Sequence, residues 1–93
     1  MKTKAITDID TALRIYYQYP EIGNSQIREL FGVTNGRTMA RYKRAVQEEQ
    51  MNRNVKTSQL HTVNTEVAYD VWGIDVVGLE KRREKLKKLG LSA

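Results

Sequence analysis

Residues 24–46 read Asn24-Ser-Gln-Ile-Arg-Glu-Leu-Phe-Gly32-Val-Thr-Asn-Gly36-Arg-Thr-Met-Ala-Arg-Tyr-Lys-Arg-Ala-Val46, and the order of helix formers and breakers here decides the fold. Asn24 or Ser25 can cap a short helix that sets Ile27, Leu30 and Phe31 on one side. Gly32 ends it, because glycine enters the left-handed conformation at a helix C-terminus without steric cost. Val33 then reads as a buried pin beneath both helices, and Thr34 or Asn35 caps a longer helix running to about Gln50. At about 100° per residue, Thr38, Met39, Tyr42 and Val46 of this helix share one side. Arg37, Ala40, Arg41 and Arg44 share the other, with Lys43 and Gln47 at its edge. Arg37, Arg41 and Arg44, at i, i+4 and i+7, form a basic ridge, and acids enter only at Glu48 and Glu49.

Upstream, Met1–Ile6 is short and basic through Lys2 and Lys4 and is expected to be loosely attached. A first helix is expected from about Asp8 to Tyr19, capped by Thr7 or Asp8, with Ile9, Ala12, Leu13 and Tyr16 as its apolar stripe. Pro20 and Gly23 stop it. Downstream, residues 51–63 are polar and lack helical periodicity, which reads as a loop with room for one short β-excursion around Leu60–Val63. Asn64 or Thr65 caps a fourth helix with Val67, Ala68, Val71 and Trp72 inward. Gly73 stops it, Ile74 pins, and Asp75 caps a fifth helix to about Leu89, ended by Gly90. The fifth helix has a stripe of Val76, Leu79, Leu86 and Leu89, interrupted by Arg83. The two glycine joints, Phe31-Gly-Val-Thr34 and Trp72-Gly-Ile-Asp75, share a pattern that any tight helix–helix turn favours.

The expected fold is therefore all-α, a single helical domain over 1–93. It divides into a three-helix part at 7–50, a loop at 51–63 and a two-helix C-terminal unit at 64–93. No cysteine is present, which excludes disulfides and thiolate metal sites. His61 is the only histidine and has no paired carboxylates nearby, so neither a metal site nor a cofactor is expected. No nucleophile–base pair and no glycine-rich phosphate loop occurs, so the chain is not expected to be an enzyme. No apolar run approaches a membrane span or a signal peptide, which points to a cytoplasmic protein with no membrane partner. The tyrosines at 16, 17 and 19 could offer a stacking platform for single strands, but their position on an amphipathic helix makes core and rim the simpler account.

Sixteen Lys and Arg oppose eleven Asp and Glu, for a net charge of +5. Such a balance favours polyanions, since each neutralised phosphate releases a counterion. The excess is spread along the chain, so its placement on particular faces carries the information.

Residues 24–46, or 8–50 with the first helix as support, resemble the helix-turn-helix regulators of bacteria and phages, especially small DNA-binding proteins of mobile elements. The resemblance implies a three-helix DNA reader in which Asn35, Gly36, Arg37, Thr38 and Arg41 face bases or backbone. Lys43 and Arg44 join them from the charge pattern of the helix, and Gly36 and Ala40 leave room for close approach. Two positions depart from the motif: Arg28 stands where a small residue is usual, and Thr38 where an aliphatic one is. The run Glu80–Lys88 carries six bases against two acids, making Lys81, Arg82, Lys85 and Lys88 secondary phosphate-contact candidates beside a plain solvated face. Sequence-directed binding of double-stranded DNA, as a transcriptional or mobile-element regulator, is thus the expected function. The alternative is a helical protein–protein adaptor, and a homodimer or protein partner is left open.

Overall fold

In a computed structural model, which describes residues 1–90, the chain forms α1 (Ile9–Gln18), β1 (Glu21–Ile22), α2 (Asn24–Phe31), α3 (Gly36–Arg53), β2 (Val63–Asn64), α4 (Thr65–Trp72) and α5 (Val76–Lys88). The last three residues of the expected C-terminal unit lie outside the described residues. Each boundary follows from local chemistry. Asp8 caps α1 by accepting from the backbone N–H and the hydroxyl of Thr11, at 3.0 and 2.9 Å. Those two bonds hold its carboxyl below the usual aspartate range. At α2 the cap is Gly23 rather than Asn24 or Ser25, because the Gln26 side chain reaches back to accept from the Gly23 N–H at 2.9 Å. Gly32 and Gly73 close α2 and α4 at φ of 66° and 74°, where a side chain would clash with its own carbonyl.

The mostly helical architecture is as expected, with two corrections at element level. First, α3 continues through Met51, Asn52 and Arg53, shortening the loop expected at 51–63. Arg53 pairs with Glu49 one turn back at 2.6 Å and with Asp70 of α4 at 2.9 Å. Asn54, left-handed at φ 57°, stops the helix and donates to carbonyls of the last turn. Second, the chain after Pro20 forms a short strand that pairs antiparallel with β2, Glu21 opposite Asn64 and Ile22 opposite Val63. Only Val63 falls within the region expected for a β-excursion.

α1 packs on α2 and α2 on α3, while α4 lies along α3 and α5 along α1. Tyr42 is the centre of this arrangement. Its ring meets Phe31 edge-on at 5.3 Å between centroids, and Phe31 in turn meets Trp72 edge-on at 5.4 Å. The Trp72 indole N–H donates to the Tyr42 carbonyl at 3.2 Å, which ties α4 to α3 through a buried bond. Tyr69, also buried, donates its hydroxyl to the Ala12 carbonyl at 2.6 Å, and burial pushes its phenol pKa well up. Tyr69 thus takes an interior place not expected of it, whereas Val71 is half-buried. Ile15 is likewise buried where Ile9 and Tyr16 are only partly so, because α1 is covered from two sides by α2 and α5.

α5 carries no fully buried residue. Val76, Leu79 and Leu86 are half-buried, but Leu89 lies past the end of the helix and is 65% exposed, so it drops out of the expected stripe. Arg83, which interrupts that stripe, faces α1, its guanidinium 3.9 Å from the Asp10 carboxylate. The Tyr17 hydroxyl donates to Glu80 across the same seam, and this bond raises the Tyr17 pKa.

Candidate nucleic-acid interface

α3 has two opposed faces. Met39, Tyr42, Val46 and Gln50 are buried on the side of α3 that meets α2, β2 and α4, and this fixes what the opposite side presents. Arg37, Ala40, Arg41 and Arg44 are all exposed there. Arg37 to Arg44 spans about 10 Å along the helix axis. Among the described residues, none of these three arginines lies within 4.0 Å of a carboxylate, whereas Arg14, Arg53 and Arg83 all do. The ridge is thus an un-neutralised stripe of charge. Arg41 is braced by the Tyr42 ring, 5.5 Å from its centroid, a cation–π contact worth about 0.5–1 kcal/mol at an exposed site.

The start of α3 is set by Asn35. Its side-chain oxygen accepts from the Arg37 and Thr38 N–H groups at 2.8 and 3.2 Å, so that oxygen is committed to the cap and only the amide N–H₂ remains for a ligand. No acid occupies the first turn. Arg37 therefore sits at the positive end of the helix dipole, a placement that costs the helix a few tenths to about 1 kcal/mol and that a bound anion would relieve. Gly36 is exposed with open space where a Cβ would stand, so nothing there obstructs close approach. Thr38 is half-buried on the flank. Lys43 stands apart from the ridge: it is half-buried and its ammonium donates to the His61 carbonyl at 3.5 Å, towards the 54–62 loop.

Lys81, Arg82, Lys85 and Lys88 are all exposed, and among the described residues none is ion-paired. The structure does not treat them alike. Arg82 lines a cleft of about 450 Å³ between residues 3–6 and the α4–α5 joint, together with Lys4, Phe31 and Trp72. Lys88 projects roughly 120° round the helix from Arg82 at 100° per residue.

Three residues that hold segments beside α2 and α3 were not legible as such. Lys4 belongs to the segment expected to be loose, yet its backbone N–H donates to the Tyr42 hydroxyl at 3.0 Å. Thr7 pins the same segment by donating its N–H to Leu30 and its hydroxyl to Glu29, at 2.8 and 2.7 Å. Glu21 anchors the 58–62 loop beside α3, its carboxylate accepting from Ser58 and Thr62 at 2.8 and 2.7 Å. No sequence signal links Lys4 to Tyr42 or Glu21 to Ser58, since each pair is joined only by the tertiary fold. In comparisons with known proteins, no family model, no curated protein and no solved structure matches this chain.

Proposed function

We propose that this chain binds double-stranded DNA through the exposed face of the first half of α3. The observation that carries it is the un-neutralised ridge of Arg37, Arg41 and Arg44 opposite a face locked into the core. A surface helix of ordinary function would place acids at i±4 from such arginines. Here neither Arg37 nor Arg41 has an acid at i±4; Glu48 stands one turn after Arg44 without pairing with it within 4.0 Å among the described residues, and Glu49 is taken up by Arg53.

α2, the Gly32 turn and α3 would act as a helix-turn-helix. α2 braces α3 through Val33 and Phe31, both buried, and α3 enters a major groove about 12 Å wide. Within it, Arg37 in the first turn is placed for base edges, Arg41 and Arg44 for the flanking phosphates, and Asn35 positions the whole turn through its cap. The biological role consistent with a small reader of this kind is regulation of transcription or of a mobile element. Titration of the full chain into labelled duplex over a range of KCl concentrations tests the proposal: affinity should fall steeply with salt. A protein that ignores duplex DNA at low salt would instead fit the helical adaptor.

A further inference from the structure

α5 differs from the other helices in how it is held. α1 to α4 each bury at least three side chains, whereas α5 buries none. α1, α3 and α4 begin on side-chain caps from Asp8, Asn35 and Asn64, and Gln26 closes the start of α2. The cap residue of α5, Asp75, makes no such bond, and the Val76, Val77 and Gly78 that follow are weak helix formers. Across the seam with α1, the Tyr17–Glu80 bond and the Arg83–Asp10 pair at 3.9 Å are open to solvent, where such contacts contribute little. Two clefts also border the helix. One of about 450 Å³ is lined by Leu79 and Arg82 with residues 3–6, and one of about 430 Å³ by Val76 and Val77 with Tyr16 and Tyr69.

We propose that α5 is a latch that opens as a unit about Asp75 while α1 to α4 keep their fold. The bonds at the joint place the hinge. Gly73 and Ile74 donate to the Asp70 and Tyr69 carbonyls at 3.2 and 2.9 Å, so the chain stays tied to α4 as far as Ile74. Asp75 follows, extended at φ −90° and ψ 99°, immediately before the first helical residue of α5. Opening gives up only half-buried apolar side chains, Val76, Leu79 and Leu86. α4, by contrast, cannot leave without breaking the buried bonds of Trp72 and Tyr69. An element with few buried apolar contacts opens at a lower free energy than the whole chain. The open form bares the rim of Ile9 and Tyr16, which borders the clefts beside α5. Neither the hinge nor the seam uses Arg37, Arg41 or Arg44, so the latch stands apart from duplex binding.

The experiment is amide hydrogen exchange of the full chain in increasing sub-denaturing urea, read residue by residue, with Val46→Ala and Leu79→Ala beside the wild type. The α5 amides should exchange at least about tenfold faster than those of α3 and α4, with one shallow urea dependence shared along the helix. Val46 is fully buried in α3, so Val46→Ala weakens the closed and the open forms alike. It should speed the α3 and α4 amides by about tenfold or more and leave the α5 rates unchanged. Leu79→Ala should speed the amides of Lys85–Lys88 as much as those near Leu79, because the helix leaves in one step. α5 amides that follow α3 and α4 in rate, urea dependence and response to Val46→Ala would show that the helix opens only with the whole chain, which overturns the latch. A response to Leu79→Ala confined to the first turns of α5 would show end fraying, and overturns it equally.

Discussion

Arg37 and Arg44 share a ridge but stand two turns apart along α3, and under the proposed duplex binding that difference would separate reading from holding. Arg37 stands in the first capped turn of α3, beside Gly36, while Arg44 lies two turns on. Arg37→Ala should relax sequence preference and cost about 1–3 kcal/mol on a preferred site. Arg44→Ala should weaken preferred and random duplexes equally, and competition binding distinguishes the two; matching profiles would contradict the division. Trp72 makes a separate, structural case. It is buried, packs edge-on against Phe31 and donates to the Tyr42 carbonyl. Trp72→Ala should therefore destabilise by about 3–5 kcal/mol in denaturant unfolding. The ridge arginines and Trp72 could be anticipated from spacing and composition. Lys4 could not, since its seat depends on a hydroxyl 38 residues away that spacing cannot locate.

At the scale of elements, helices were more legible than the segments between them. Gly32, Asn35, Asn64 and Gly73 announce their helix ends because capping is local chemistry. The β1–β2 pairing and the extension of α3 to Arg53 rest on partners far along the chain, Asn64 and Asp70, which periodicity does not report. The 58–62 loop shows the same dependence and makes a pH prediction. Bonds from Ser58, Thr62 and Gln59 hold the Glu21 carboxyl below its ordinary value of 4.5. A depressed folded-state pKa means that the stability Glu21 contributes is complete above 4.5 and is lost as pH falls through the lower folded value. Glu21→Gln should melt below the wild type at neutral pH and show a shallower decline in Tm under acid. Parallel acid declines would show that the carboxylate does not anchor the loop. Asp8 and Glu49, depressed by their own hydrogen bonds, keep the decline from vanishing in the variant.

Across the whole molecule, the C-terminal helices are part of the fold that holds α3. α4 lies on α3 and α5 on α1, and buried bonds from Trp72 and Tyr69 cross between the halves. A chain ending at Val63 should lose cooperative unfolding, and one that melts like the full chain would make α4 and α5 an independent module. The apolar content of residues 64–79 made such packing foreseeable, whereas which basic side chains of α5 flank the arm depended on how α5 settles on α1. The net charge of +5 gains meaning only from that assembly, which leaves the α3 ridge open to solvent while Arg14, Arg53 and Arg83 are paired elsewhere. The most direct test of DNA binding is the salt dependence of duplex affinity for the full chain beside an Arg37→Gln/Arg41→Gln/Arg44→Gln variant. The account predicts a steep log–log decline for the wild type and a slope smaller by about 2–3 in the variant, with both chains equally folded. Equal slopes, or no duplex binding by the wild type at low salt, would contradict it.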